Sequence, residues 1–132
     1  MEDGLIPAAS ICLVDRSRGR VLLGRRRIPP SAGSWAFPGG RTHPGETALE
    51  TGFRELAEET GIRLPIRQPS ATHTVLVGRP ARYRVTCLVV EVADAPDPVP
   101  GPELDAQWIG LPEAAGLRPM TRGTRRVLRE LT

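Results

Sequence analysis

Residues 40–62 read GRTHPGETALETGFRELAEETGI. From Glu46 to Thr60 the apolar positions Ala48, Leu49, Gly52, Phe53 and Leu56 recur at spacings of three and four, which is one face of a helix. Gly61 stands where a helix closes on a left-handed glycine. Upstream, Gly39, Gly40 and Gly45 let a backbone approach a ligand closely or take a positive φ. Glu46 is expected to open the helix, at the end where an acid suits the dipole. Glu55, Glu58 and Glu59 fall at i, i+3 and i+4, so their carboxylates share one side, opposite the stripe of Leu49, Phe53 and Leu56. Arg54, four residues before Glu58, can pair with it. Like charges so placed raise one another's pKa. A divalent cation removes that cost, and all-oxygen ligation favours Mg²⁺ or Mn²⁺ over zinc. A solvated acidic face is the simpler use of such a helix; the flanking glycines favour the metal.

Outward from this segment the period changes to that of strands. Residues 7–14 and 20–23 read as a hairpin around a turn at Asp15 to Gly19. Residues 28–34 are loop, and Trp35 to Phe37 is a short strand broken by Pro38-Gly39-Gly40, with loop continuing to Gly45. Strands are expected at 71–78, 82–93 and 107–110, a helical turn at 112–116, and a closing helix from Thr121 to Leu131. Strands then a helix, more strands and a last helix make an α/β fold: one mixed sheet with helices on its faces. The whole of residues 1–132 reads as a single domain.

Composition narrows the function. The 132 residues carry a net charge of +3, and all 18 basic residues are arginine. Every cationic phosphate contact must therefore come from a planar guanidinium fork. Residues 46–59 hold five glutamates and one arginine, a balance of −4, leaving +7 on the rest of the chain. An acidic knot in a basic protein suits a metal facing an anionic small molecule better than a nucleic-acid duplex. No apolar run is long enough to span a membrane. MEDGLIPAAS lacks both a basic and an apolar signal region, so the expectation is a cytoplasmic protein. Cys12 and Cys87 sit in apolar runs without CxxC spacing and read as reduced core thiols. No P-loop, HExxH, GxSxG or dinucleotide fingerprint is present.

Gly40, five residues, Glu46, seven residues and then Arg54-Glu55-Leu56-Ala57-Glu58-Glu59-Thr60-Gly61-Ile62 resembles the Nudix box at every specified position. Chance would supply its seven fixed residues roughly once in a hundred million start sites at about 7% usage each. Trp35-x-x-Pro38-Gly39-Gly40 and a strand containing Trp108 extend the likeness over about residues 7–131. The resemblance implies a Nudix-type α/β/α sandwich and Mg²⁺-dependent hydrolysis, with Mn²⁺ also able to serve, of a nucleoside diphosphate linked to another group X. It implies Glu55, Glu58, Glu59 and the Gly39 carbonyl as metal ligands, Arg54 as an orienting residue and Glu46 as a structural acid, with water activated by one of these glutamates or by an acid of a later loop, for which Glu103 is the nearest candidate.

Arg26 is the choice for a phosphate contact from the Arg25-Arg26-Arg27 run; Trp35 is weighed as a base-stacking residue against packing in the core, and Phe37 is placed among the substrate contacts. His43 is weighed as a phosphate contact, His73 as structural, and Tyr83 as facing either the site or solvent. The arginines of the last helix read as its wet face. Gly52 and Phe53 stand where the family uses small helix formers, which predicts close helix–sheet packing at Gly52. The branch that cleaves oxidised purines reads its base with an asparagine. This chain has none, and Thr121 holds the nearest matching position, so little selectivity for oxidised dGTP is expected. Substrates remain open between an NTP or dNTP and a nucleoside diphosphate sugar such as ADP-ribose. The alternatives are a hydrolase of non-nucleotide diphosphates and a non-catalytic nucleotide-binding regulator; a homodimer is also left open.

Overall fold

In the computed structural model, which describes residues 3–29 and 31–131, side-chain alternation sorts the core into two layers. Strands β1 (Ile6–Asp15) and β6 (Tyr83–Glu91) run side by side and parallel. Ile11, Leu13, Leu88 and Val90 point to one side, where they meet Phe53, Leu56 and Ile62. Cys12, Val14, Cys87 and Val89 point to the other, where they meet Ala114, Val127 and Leu128. Strands buried on both faces read as unbroken apolar runs, as ICLV and CLVV do. Both cysteines are free and buried.

The sheet also contains β2 (Arg20–Arg26), β3 (Trp35–Ala36), β4 (Gly39–Arg41), β5 (Ala71–Val77) and β7 (Leu104–Gly110). Its order is β3-β2-β1-β6-β5, with β4 also on β1 and β7 also on β2. Helix α1 (Ala48–Thr60) covers the first core, while α2 (Leu111–Ala115) and α3 (Arg122–Leu131) cover the second. This is the α/β/α sandwich with a mixed sheet that the sequence implies. Gly52 is packed as expected, because a Cβ there would stand 2.9 Å from Leu88 Cδ1.

Three departures from the sequence reading bear on the site. Gly39 to Arg41 is not loop but a strand, in register Ala8↔Arg41, Ala9↔Gly40 and Ser10↔Gly39. A Cβ on Gly39 would lie 2.6 Å from Ala9 O, so glycine serves close approach here, and only Gly45 of the three loop glycines has a positive φ, 83°. Glu46 does not open the helix: Thr47 is the N-cap, joined to Glu50 in a reciprocal capping box. Finally, β7 begins at Leu104 rather than Gln107.

One edge of β1 changes partner along its length, and this opens the molecule. Ala8 to Ser10 pair with β4, whereas Val14 and Asp15 pair with β2. Beyond that contact β2 departs with β7, which follows it from Arg20↔Gly110 to Arg26↔Leu104. A cleft lies between the diverging halves. Among the described residues no helix is long and apolar enough to cross a membrane.

Candidate functional site

The end of α1 faces the edge of β4, and glycine makes that approach possible. A Cβ on Gly40 would collide with the Glu55 carboxylate, so the bare backbone is what admits it. The Gly39 N–H donates to Glu59 Oε1 at 2.8 Å. Because a strand residue turns its N–H and C=O to the same side, the Gly39 carbonyl faces that edge too. Glu55, Glu58, Glu59 and Glu103 gather with Pro102 around one pocket of about 220 Å³. Burial pushes Glu55 up to about 8, and the Glu59 and Glu58 carboxyls add to the shift. Glu59 is pushed up to about 7, again first by burial, with the Gly39 hydrogen bond opposing and the Glu103 charge reinforcing it.

Arg54 sorts the remaining acids. Its Nε donates to Glu46 Oε2 at 2.6 Å and its Nη2 to Glu46 Oε1 at 3.0 Å. The same side chain reaches Arg41 O at 2.9 Å and Glu58 Oε1 at 3.0 Å. The His43 N–H and Thr51 Oγ1 also donate to Glu46, whose carboxyl is held down at about 2, chiefly by Arg54. Glu46 thus ties the loop of residues 41–46 to the helix.

Among the described residues no three His, Cys, Asp or Glu side chains are grouped as a ready-made metal site; Glu58 leans to Arg54 instead. The donor chemistry nonetheless fits a hard divalent cation. Four carboxylates line one small pocket, Glu59 buried and Glu55 half-buried, with a backbone carbonyl facing the same edge.

The pocket adjoins a cleft of about 1440 Å³ whose walls include Glu55, Glu59 and Glu103, as well as Arg26, Phe37 and Thr121. The fork of β2 and its loop thereby brings most of the residues singled out in the sequence to one place. Of the Arg25–Arg27 run only Arg26 lines the cleft, and its charge acts on Glu59. Arg25 bonds to Gly33 O, and Arg27 pairs with Asp105 at 3.7 Å. Thr121 Oγ1 donates to Thr124 Oγ1 at 2.7 Å. Trp35 is a correction: it is packed into the second core, Arg25 lies over its ring at 5.8 Å, and it forms no part of the cleft wall. No face of Trp35 is offered to a base. His43 also lies outside the cleft.

Arg41 escapes the sequence reading, which leaves Tyr83 open between site and solvent and assigns the arginines of α3 to solvent. Arg41 Nη2 donates to the Tyr83 hydroxyl at 3.1 Å, and both residues line the cleft beside Gly40. Arg122, Arg125, Arg126 and Arg129, read as a wet helix face, form a cleft wall. Their spacing gave the shared face but not what lies across from it.

Comparison with known proteins agrees with this fold. Among curated relatives, an octanoyltransferase of Myxococcus xanthus is 34% identical over 86% of the chain and 32% of its own length. An RNA pyrophosphohydrolase of Erwinia tasmaniensis is 41% identical over 57% of the chain and 41% of its own length. The chain thus spans about a third to two fifths of these relatives. The Nudix domain of Shewanella oneidensis NrtR, solved with ADP-ribose, superposes with a TM-score of 0.79 at 18% identity, covering 98% of this chain and 88% of that one. A MutT Nudix hydrolase from Burkholderia pseudomallei gives 0.76 at 24% identity, over 96% and 98%. The family model of the NUDIX domain matches residues 4–131, and this chain belongs to the Nudix family.

Proposed function

We propose that the protein hydrolyses a diphosphate linkage in a small nucleotide, an NTP or dNTP or a nucleoside diphosphate sugar such as ADP-ribose, with Mg²⁺ as the working cation and Mn²⁺ able to replace it. The observation that carries this reading is the convergence of Glu55, Glu58, Glu59 and Glu103 on one pocket at the mouth of an arginine-lined cleft. Relatives and structural neighbours point the same way, being named for RNA pyrophosphohydrolysis, Ap4A hydrolysis and ADP-ribose binding.

Glu55, Glu58 and Glu59, with the Gly39 carbonyl, would hold the cation. When bound, it supplies Lewis-acid stabilisation of charge growing on phosphoryl oxygens and lowers the pKa of water. Glu103 accepts the proton of the attacking water, since it faces both the acidic pocket and the cleft. Arg26 neutralises the phosphate that departs. Arg54 fixes Glu58 and, through Glu46, the loop that precedes the helix. Phe37 and Thr121 line the substrate's side of the cleft. A full set of carboxylates speaks against a binding-only regulator, which needs none of them to turn over.

The test is phosphate release from a nucleotide panel, coupled to a phosphatase, with Mg²⁺ and with EDTA. At least one nucleoside diphosphate derivative is hydrolysed with Mg²⁺ and none with EDTA. Within the panel, oxidised dGTP is favoured over dGTP by less than about a hundredfold in kcat/KM, because no amide fork is present to read its edge. Metal-independent turnover, or none on any diphosphate, refutes the reading.

A further inference from the structure

The cleft carries more positive charge than one diphosphate and its cation require. Among the described residues seven arginines line it against three glutamates, and the glutamates all stand at the end occupied by the acidic pocket. Four of the seven arginines, Arg122, Arg125, Arg126 and Arg129, belong to α3. At about 100° per residue they fall within roughly a third of the helix circumference, with Thr124, Val127 and Leu128 buried on the opposite side.

This wall is held in position. Gly123 lies so close to β5 that a Cβ would come 2.8 Å from Val75 Cγ1, which seats α3 directly on the strand. Arg126 Nη1 donates to Thr74 O at 3.3 Å, and Arg125 Nη2 donates to Leu117 O at 2.7 Å. Those partners are carbonyls, so they orient the guanidinium groups without neutralising them. None of the four forms an ion pair among the described residues. From Arg122 to Arg129 the row rises about 10 Å. The 1440 Å³ of the cleft exceeds the ~300–1,000 Å³ of an ordinary small-molecule pocket.

We propose that the arginine row of α3 is a second anion subsite, so that the substrate carries at least one phosphate beyond the diphosphate that is cut. Arg122 and Arg129 grip it, with Arg126 between them. A phosphate monoester is a group that a planar guanidinium fork matches bidentately, and its two negative charges suit a row of several arginines. Reactions that place a phosphate on the ribose or on group X of a diphosphate-linked compound would supply such a substrate. The inference rests on the diphosphate-hydrolase reading for the reaction itself, but anion binding by the row can be measured without turnover.

Two measurements test it on the full chain. Inorganic tripolyphosphate is titrated calorimetrically in EDTA against wild type, Arg122→Gln, Arg129→Gln and the double variant. Each single change weakens binding about tenfold, in keeping with one lost charge-assisted bond. Arg67→Gln, which removes the same charge outside the cleft, leaves it unchanged. In the second measurement, kcat/KM with Mg²⁺ is compared within two matched pairs, NADP⁺ against NAD⁺ and coenzyme A against dephospho-coenzyme A. Wild type favours the extra phosphate in at least one pair by about tenfold, and the double variant loses that preference. If none of the panel is hydrolysed, the hydrolase reading fails alone and the calorimetry decides the subsite. Unaltered tripolyphosphate affinity in the double variant overturns the proposal, as does equal kcat/KM within both pairs when they are cut. Tighter binding of a phosphorylated single-stranded oligonucleotide than of tripolyphosphate also overturns it, in favour of a nucleic-acid strand.

Discussion

Glu46 stands just before α1 and Glu59 in its last turn, yet their carboxyls are driven in opposite directions. Glu46 is held at about 2 because Arg54, the His43 N–H and Thr51 all donate to it. Glu59 is pushed up to about 7 because burial removes its water while one backbone N–H and the Arg26 charge return only part of what is lost. Glu55, beside it, stands at about 8. The first acid has its counter-charge built into the chain and serves architecture. The second and third are compensated only in part, Glu55 by Arg54 at 3.5 Å and Glu59 by Arg26, and their folded geometry makes sense when a cation arrives from outside. One motif therefore holds both a finished ion pair and an unfinished one.

The sharpest way to break this contrast is to remove one acid from each side. Glu59→Gln lowers kcat by about a hundredfold to a thousandfold, the scale of losing a main source of charge stabilisation at the phosphoryl group. Glu46→Gln, which loosens the loop that Arg54 braces, costs about tenfold, as expected of a group that orients others. Steady-state kinetics over a Mg²⁺ series separates the two. If Glu46→Gln proves as damaging as Glu59→Gln, the division between architecture and metal holding is wrong.

Replacing Glu103 examines the unfinished side from across the cleft. Glu103→Gln lowers kcat by about a hundredfold with little change in KM, the lower end of what a positioned general base contributes. Asp105 is the internal control: it pairs with Arg27 and lines neither the pocket nor the cleft. Asp105→Asn leaves kcat within about threefold of wild type, by the same reading of kinetic constants. The reverse ranking would move the base from Glu103 to Asp105 and leave the α1 carboxylates untouched.

What the sequence disclosed and what it hid divide along the range of the forces involved. The strands and α1 were legible because burial imposes a period on consecutive residues, as in ICLV and the Leu49-Phe53-Leu56 stripe. The three helical glutamates were legible because helix geometry fixes which residues share a side. β4 was not, since two glycines carry no side-chain pattern, and its reason for existing is the collision that a Cβ would cause with Ala9 O or the Glu55 carboxylate. The Glu46–Arg54 bridge was missed because it depends on how residues 41–46 fold back, which spacing alone does not encode. Trp35 stayed open between stacking on a base and packing in the core because composition cannot tell an aromatic in a core from one on a wall. The α3 arginines showed their common face but not the cleft opposite, which β5 and the loop after β2 create together.

The smallest effect, and the one that reads the contrast most directly, is the stability of the metal-free protein against pH. Unfolded, Glu55 and Glu59 titrate near 4.5; folded, they titrate at about 8 and about 7. Between those values the native chain binds more protons than the unfolded one, so stability is greatest below pH 4.5 on account of these groups and falls as pH rises to about 8. A net loss of about 2 kcal/mol across the window, well under the sum of both shifts at 1.36 kcal/mol per unit because the groups partly share their proton, lowers Tm by about 5–10 °C. Glu46 adds only a small slope of opposite sign at the low end of the window, since its carboxyl titrates at about 2 when folded and near 4.5 when unfolded. Differential scanning fluorimetry in EDTA from pH 5 to 8 measures the slope. Mg²⁺ should raise Tm strongly at pH 8 and little at pH 5, because only at the higher pH are both carboxylates charged and short of a partner. The Glu55→Gln/Glu59→Gln double variant should lose both the slope and the Mg²⁺ response, while Glu46→Gln keeps them. A flat profile for the wild type in EDTA, or an intact slope in the double variant, would mean that the buried carboxylates are already balanced by the chain. The distinction between Glu46 and its two neighbours would then be one of position only.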